Sequence, residues 1–501
     1  MVRGAPPMTP GSHRRLLTLF AAALLPLAGG CLVSFDVPST DASGDHDGDD
    51  ARRDDLVVPD GESEDATPPE EGIDDDGAEP PDLVSCGNGV VDPDEECDGA
   101  APESCTTSCG SQGTRSCGTD CRWTACVAPG ETCDGVDQDC DGYADEDLWA
   151  LKGAPLLLDA TDEPSILPSA AWAGDRFCVV WEKLMAGPNQ LYLAAAGADG
   201  TLLTPELEIT ASTGGAHDPA IAWDGTGLGA AWTDMMGTDI NRDPYAALFS
   251  VEGAGRSVPL NLAGIDIGDD TGPAIVWTGT QLAVAWAGPA GVFLSLIAPD
   301  GSSAARTPLS DAGDGSDACI AWSGSRFGVF WEVTSGSGDI AGALVEADGT
   351  VVVPDLRLHE GGEAQVDPAC AFGAGEFDVL CADDGSGAWQ VFGTSVLPDG
   401  TVASAEVLVT ACTGDCREPA IAWAGDAWVV AAVDERVDAR ETFVFRTASD
   451  GSRLSADIVV SRPGAASEHP AMAWGGGTLA VAYQGQGGGL SNVDMAFVGC
   501  P

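Results

Sequence analysis

Positive charge is scarce in this sequence, with 21 Lys and Arg against 80 Asp and Glu, 5 His, and a formal net charge of −59. Such a polyanion repels phosphate backbones and anionic headgroups, which excludes nucleic acid and polybasic membrane attachment as functions and leaves cations and basic surfaces as partners. Apolar runs long enough to span a bilayer as a permanent helix are also missing, since Leu16 to Leu27 is too short and is broken by Pro26. No phosphate-cradling Gly loop leads a strand into a helix, no redox thiol motif occurs, and no nucleophile and base can be paired. What is present is Gly (66), Pro (32), Cys (17) and a 44% apolar content, enough for a large core in 501 residues.

Nine of the Cys fall between Cys86 and Cys140, a density that points to disulfides formed outside the reducing cytoplasm. The N-terminus agrees. Arg3, His13, Arg14 and Arg15 precede the apolar run, and Ala28-Gly29-Gly30 precede Cys31, the layout of a signal peptide over residues 1–30. The small residues before Cys31 resemble the lipobox of bacterial lipoproteins, although Leu27 stands one position further out than the usual Leu. The resemblance implies lipidation at Cys31 and attachment through acyl chains, with Leu32 compatible with outer-membrane sorting; ordinary secretion is the alternative. Residues 31–83 are dominated by Asp, Glu, Gly, Pro and Ser, which predicts a disordered, extended acidic linker.

Residues 84–148 hold too little apolar surface for a core, so crosslinks must stabilise them. Their pairing is not readable from sequence. Cys86-Gly87-Asn88-Gly89-Val90-Val91-Asp92 through Cys97-Asp98 resembles the cysteine-rich repeat of secreted myxobacterial proteins, but departs from it at Gly99 and Ala100. Downstream, Asp137, Asp139 and Asp141 alternate, Gly142 allows a sharp turn and Asp145 can close a shell, so one hard cation, calcium, is the expected ligand, with the Tyr143 carbonyl completing the set. Leu148 at the twelfth position excludes an EF-hand. The pattern is similar to thrombospondin type 3 and integrin-type calcium loops. It also resembles the Asp-rich metal-binding motif of secreted bacterial proteins, whose flanking Cys correspond to Cys133 and Cys140.

Residues 151–501 repeat one motif seven times. Trp172, Trp223, Trp277, Trp322, Phe372, Trp423 and Trp474 recur every 45 to 54 residues, each closing a run such as Pro219-Ala220-Ile221-Ala222-Trp223. Nine residues on stands a second column: Trp181, Trp232, Trp286, Trp331, Cys381, Ala432 and Tyr483. Two apolar runs around a Gly turn form a hairpin. A third strand follows, then an Asp-Gly turn (Asp199, Asp300, Asp348, Asp399, Asp450), then a fourth strand. Four antiparallel strands at this period predict an all-β, seven-bladed β-propeller, with aromatics packed between blades. The last repeat stops after three strands and the domain opens with a lone strand near Ala154 to Asp159, so that segment should complete the last blade. The repeats resemble the propeller-forming repeats of bacterial lipoproteins, whereas sialidase Asp-boxes and kelch signatures are absent.

Cys412 and Cys416 are spaced for a small loop disulfide, Cys370 and Cys381 lie on neighbouring strands and could bridge, Cys178 and Cys319 have no evident mate, and Cys500 could staple the closing blade. In a propeller the loops entering the first strand and leaving the second share one face. Asp218, Asp317, Asp367, Glu418 and Glu468 precede first strands; Glu182, Asp234, Glu332, Asp383 and Asp434 follow second strands. That face should be acidic, with His217 and His469 near the Pro starts. The reading these features favour is a non-enzymatic surface lipoprotein whose calcium-binding neck presents a propeller to a surface protein or glycan. Alternatives are a propeller hydrolase or lyase acting on polysaccharide or peptide, and a structural coat component.

Overall fold

The computed structural model describes residues 86–500, apart from positions 100, 134–135, 144, 146–147, 160–162, 237–240, 265–267, 336–337, 359–363, 386, 411, 436–439 and 488. The signal segment, Cys31 and the acidic linker lie outside the described residues. Gly89–Pro501 forms one compact unit that holds both the cysteine-rich module and the propeller. Among the described residues no helix is long and apolar enough to cross a membrane.

The repeats form seven antiparallel sheets, each ordered from the axis outward as the chain runs. Their innermost strands are Ser165–Trp172, Ala216–Trp223, Thr271–Trp277, Ser316–Trp322, Gln365–Gly373, Cys416–Trp423 and Ser467–Gly475, which define blades one to seven. Each innermost strand contacts the next around the ring, and the last contacts the first. Closure follows the sequence expectation: Leu490–Gly499, third strand of blade seven, pairs with Ala150–Leu151 and Leu156–Leu157, in register at Val498↔Leu151 and Met495↔Leu156.

Second strands such as Phe177–Lys183, Leu228–Asp234 and Trp428–Asp434 are buried at every residue. A sheet sandwiched on both faces demands this, which is why these runs do not alternate. The core divides into seven apolar clusters, one per wedge between blades. The second aromatic column sits inside them, with Trp181, Trp232 and Trp286 fully buried. The first column packs differently. Trp223 lies 3.2 Å from where a Cβ on Gly174 of the preceding blade would stand and Trp172 lies 3.1 Å from the equivalent place on Gly476, while Trp423 and Trp172 also crowd Gly373 and Gly475, one residue earlier in their blades, so Trp packs on Gly between some blades and across the closure.

Every innermost strand is bulged near its start, and the residue at the bulge takes a left-handed backbone: Leu167, Asp218, Gly272, Asp317, Asp367, Glu418 and His469, with φ between 43° and 56°. In six blades the next residue is Pro, which has no N–H to give the ladder, so an interruption costs least there. Each non-Gly residue held this way stores on the order of 1–3 kcal/mol. At the opposite end of the blades, Asp199, Asp300, Asp348, Asp399 and Asp450 accept the N–H of the Thr or Ser two residues on, at 2.9–3.0 Å. The Ser302 and Ser452 hydroxyls first and then these N–H bonds hold Asp300 and Asp450 below their usual range, and the N–H bonds first and then the Thr hydroxyls do so at Asp199, Asp348 and Asp399.

Closure is also locked by charge. Lys183 of blade one, 1% exposed, bonds Asp159, which follows the closing strand, at 2.9 Å and pairs with Glu206. Its ammonium also lies 4.6 Å from the Tyr192 ring centroid.

Among the described residues six disulfides are formed. Three knit the module (Cys97–Cys117, Cys105–Cys126, Cys109–Cys140) and Cys412–Cys416 closes the expected small loop. Two differ from the sequence expectations. Cys370 stands directly opposite Val379, which leaves Cys381 diagonal to it, and it bonds Cys319 on the innermost strand of blade four, at a Cα–Cα distance of 5.9 Å. Cys500 bonds Cys133, so it staples the module to the final strand rather than closing the blade upon itself.

Two outcomes follow. Replacing Lys183 by Ala leaves Asp159 and Glu206 buried without their cation, and should cost about 3–5 kcal/mol in urea unfolding, against about 1 kcal/mol for an exposed Lys. Gly475→Ala drives a methyl into Trp172 and should cost about 1–3 kcal/mol, whereas Ala at the open Gly279 should cost only the price of its positive φ.

Candidate functional site

Two places gather chemistry: the axial end where first strands begin, and the Asp-rich loop of the module.

Register places the ends of the second strands beside the starts of the first: Glu182↔Ile166, Asp234↔Ala216, Glu332↔Ser316, Asp383↔Gln365 and Asp434↔Cys416. The acids read from sequence therefore do share one end, although Glu182, Asp234, Glu332, Asp383 and Asp434 lie within the second strands rather than after them. Asp218, Asp317, Asp367 and Glu418 lie within the first strands, at the bulges, rather than ahead of them. The residue equivalent to them in blade seven is His469, not Glu468, and His217 is equivalent to Glu468; the two His are thus one position out of step.

Much of this charge is spent on joining blades. Glu182, fully buried in blade one, accepts Asn189 Nδ2 at 2.6 Å and lies 2.8 Å from His217 Nδ1 of blade two. Glu418 of blade six accepts the His469 N–H of blade seven at 2.7 Å. Asp234 is buried and accepts Ser212 Oγ at 2.6 Å and Trp232 Nε1 at 3.1 Å; burial raises its pKa and these two bonds oppose the rise. Asp383 accepts Gln365 Nε2 at 2.6 Å. Arg440 pairs with both Glu435 and Glu468.

The sector of blades four and five differs. There the Glu332 carboxyl is pushed up to about 8, by burial first and then by the charges of Asp317 and Asp367. A protonated Glu beside two further acids can donate as well as accept near neutral pH.

In the module, Glu131, Asp137 and Asp139 bring carboxylate oxygens within 4.8 Å of one another. Glu131, which sequence reasoning missed because it lies outside the D-x-D-x-D-G pattern, organises the loop. Its Oε1 accepts the N–H groups of Gln138 and Asp139, both at 2.8 Å, and its Oε2 that of Asp145 at 3.1 Å. Asp137 accepts Cys140 and Gly142 N–H, Asp139 accepts that of Asp141, and Asp141 that of Tyr143. Asp141 and Asp145, both expected as ligands, stand outside the close group, and Tyr143 enters as a backbone donor to Asp141. The Asp139 carboxyl lies above its usual range, through desolvation and then the repulsion of Asp141, Glu131 and Asp137. All-oxygen donors of this kind fit a hard divalent cation such as calcium. Cys133 and Cys140 bracket the loop but do not pair with each other; one bonds Cys500 and the other Cys109. Cys412, Cys416 and Asp434 also converge, but that sulfur pair is a disulfide and offers no thiolate.

No family model and no curated protein matches the chain. Solved structures similar to it include a protein of unknown function from Dyadobacter fermentans (12% identity, 70% of this chain and 99% of that one, TM-score 0.46). They also include a prolyl endopeptidase (14%, 67% and 47%, 0.45) and a Trypanosoma rangeli sialidase (12%, 74% and 60%, 0.41). The chain thus spans about half to three fifths of the length of the two enzymes.

Glu332 yields a pH test. A carboxyl whose pKa is raised from 4.5 to about 8 on folding favours the folded state fully below pH 4.5, and that contribution is lost as pH rises to 8. Unfolding measured from pH 4.5 to 8.5 should therefore show a loss of stability through this window that Glu332→Gln removes.

Proposed function

We propose that this protein is a non-enzymatic surface lipoprotein, anchored through lipidated Cys31 and facing outward from the cell envelope, whose calcium-bound neck presents the propeller to a surface protein or glycan. The observation that carries this reading is the Asp-rich loop clamped at both ends by disulfides, Cys140 to the module and Cys133 to the last propeller strand. A cation drawing Glu131, Asp137 and Asp139 together fixes the segment between anchor and head, so orientation of the head depends on it. The acidic axial end supplies a surface complementary to basic or polyhydroxy ligands. The acidic linker holds the whole away from the membrane by self-repulsion.

With calcium at a hundred times its Kd, ligation should stabilise the protein by about 2.7 kcal/mol, seen as a melting point that falls on adding chelator. Asp137→Asn with Asp139→Asn should melt like the chelated protein in both conditions. Binding to a glycan and surface-protein array should weaken under chelation. Melting and binding indifferent to chelator would contradict the neck assignment, and release of the Cys31→Ser variant to the medium would support the anchor.

A second reading, a hydrolase of polysaccharide or peptide, is favoured by Glu332, whose raised pKa beside Asp317 and Asp367 suits a general acid. Hydrolysis by the wild type that Glu332→Gln abolishes would replace the binding reading.

A further inference from the structure

The wedge between blades five and six holds, beside its apolar cluster, a cavity with polar walls. It has room for a body the size of about one water molecule. Asp378, Ser395 and Ser404 lie in register on three adjacent strands of blade five and line it together, and Thr447 of blade six faces them. In the other six blades the position of Asp378, one residue into the second strand's buried run, is held by Cys178, Gly229, Ala283, Gly328, Val429 and Ala480. A carboxylate there is an exception to a column that is otherwise small or apolar.

Asp378 is 9% exposed, and among the described residues it makes no ion pair. Its carboxylate accepts the Val379 N–H, and burial, followed by the charge of Glu376, pushes its pKa up to about 7. Glu376 in turn bonds Ser449 at the cavity wall. The surrounding donors are therefore hydroxyl oxygens and one carboxylate, with Leu380, Val407, Val409 and Val430 closing the remaining sides. An ionised carboxylate so placed is costly unless a positive charge joins it, and none comes from a side chain.

We infer that the cavity between blades five and six is a binding site for a single monovalent cation of about sodium's size, held by the Asp378 carboxylate and the hydroxyls of Ser395, Ser404 and Thr447. All-oxygen donors select a hard cation. Asp378 carries the one formal charge among the residues that line the cavity, with Glu376 outside it behind Ser449, so one positive charge neutralises the enclosed site and a second would have no lining carboxylate to meet it. The enclosed space admits one such ion and no organic ammonium. Bound, it ties the second, third and fourth strands of blade five to the end of the third strand of blade six, across the wedge whose apolar cluster has the fewest buried members, eight.

The test is a melting titration of the full protein at pH 8 in excess chelator, which removes any contribution from the neck loop. Sodium chloride is exchanged for tetramethylammonium chloride at constant ionic strength. The site predicts a saturable rise of roughly 2–4 °C in sodium. Asp378→Asn should lose the rise while folding at least as stably in tetramethylammonium, and Ser395→Ala should shift the sodium midpoint upward by about tenfold. A wild type indifferent to sodium, or an equal rise in Asp378→Asn, would overturn the assignment. Should Asp378→Asn not fold, an unchanged midpoint in Ser395→Ala would do the same.

Discussion

Everything in this molecule depends on an edge that must be covered. Leu490–Gly499 is the third strand of blade seven, and among the described residues it is Ala150–Leu151 and Leu156–Leu157 that pair with its outer edge. A blade is apolar on both faces, so no single repeat is stable alone; each wedge cluster needs two blades and the seventh wedge needs both ends of the domain. That is why strong devices concentrate at the closure. Buried Lys183 meets Asp159, Trp172 covers Gly475, and Trp149 stacks on Trp474 at 5.2 Å with the Arg446 guanidinium 4.7 Å from its ring centroid.

The same geometry decides what the acidic end can do. Bulging every first strand holds seven residues in a left-handed conformation around the axis, and most are Asp or Glu. Where blades one and two or six and seven meet, Glu182 and the bulge residue Glu418 are bonded to His side-chain or backbone groups of the neighbouring blade and act as structural locks. Toward blades four and five the acids crowd one another instead, and Glu332 is forced toward neutrality. A pseudo-symmetric fold thus carries an asymmetric charge distribution, and asymmetry is what a binding surface needs in order to orient a partner.

The architecture was legible because it is written in columns. Seven Trp or Phe markers and their partners nine residues on define blades, and the incomplete last repeat implies closure by an N-terminal strand; each of these stands in the structure. What the columns hide are relations between columns. Cys319 and Cys370 occupy adjacent positions of different repeats, and only the facing of strands across a wedge reveals that they meet. Glu468 stands two residues before Pro470, whereas Asp218, Asp367 and Glu418 directly precede theirs, so it reads as the axial acid of blade seven although His469 occupies the place. Glu131 lies outside the Asp motif it organises. Asp378 was visible as the one charged residue in an apolar column, a signal available to a comparison of second strands position by position, but its significance depends on Ser395 and Ser404 lying opposite it.

Native-state hydrogen exchange is the most direct test of the closed ring. If the N-terminal strand completes blade seven, amides of Val493 to Val498 should exchange as slowly as those of Val179 to Trp181 and Val429 to Ala432, with one shared free energy of opening. Exchange of blade seven by a separate, faster route, with the other six blades still protected, would contradict a ring whose ends hold each other.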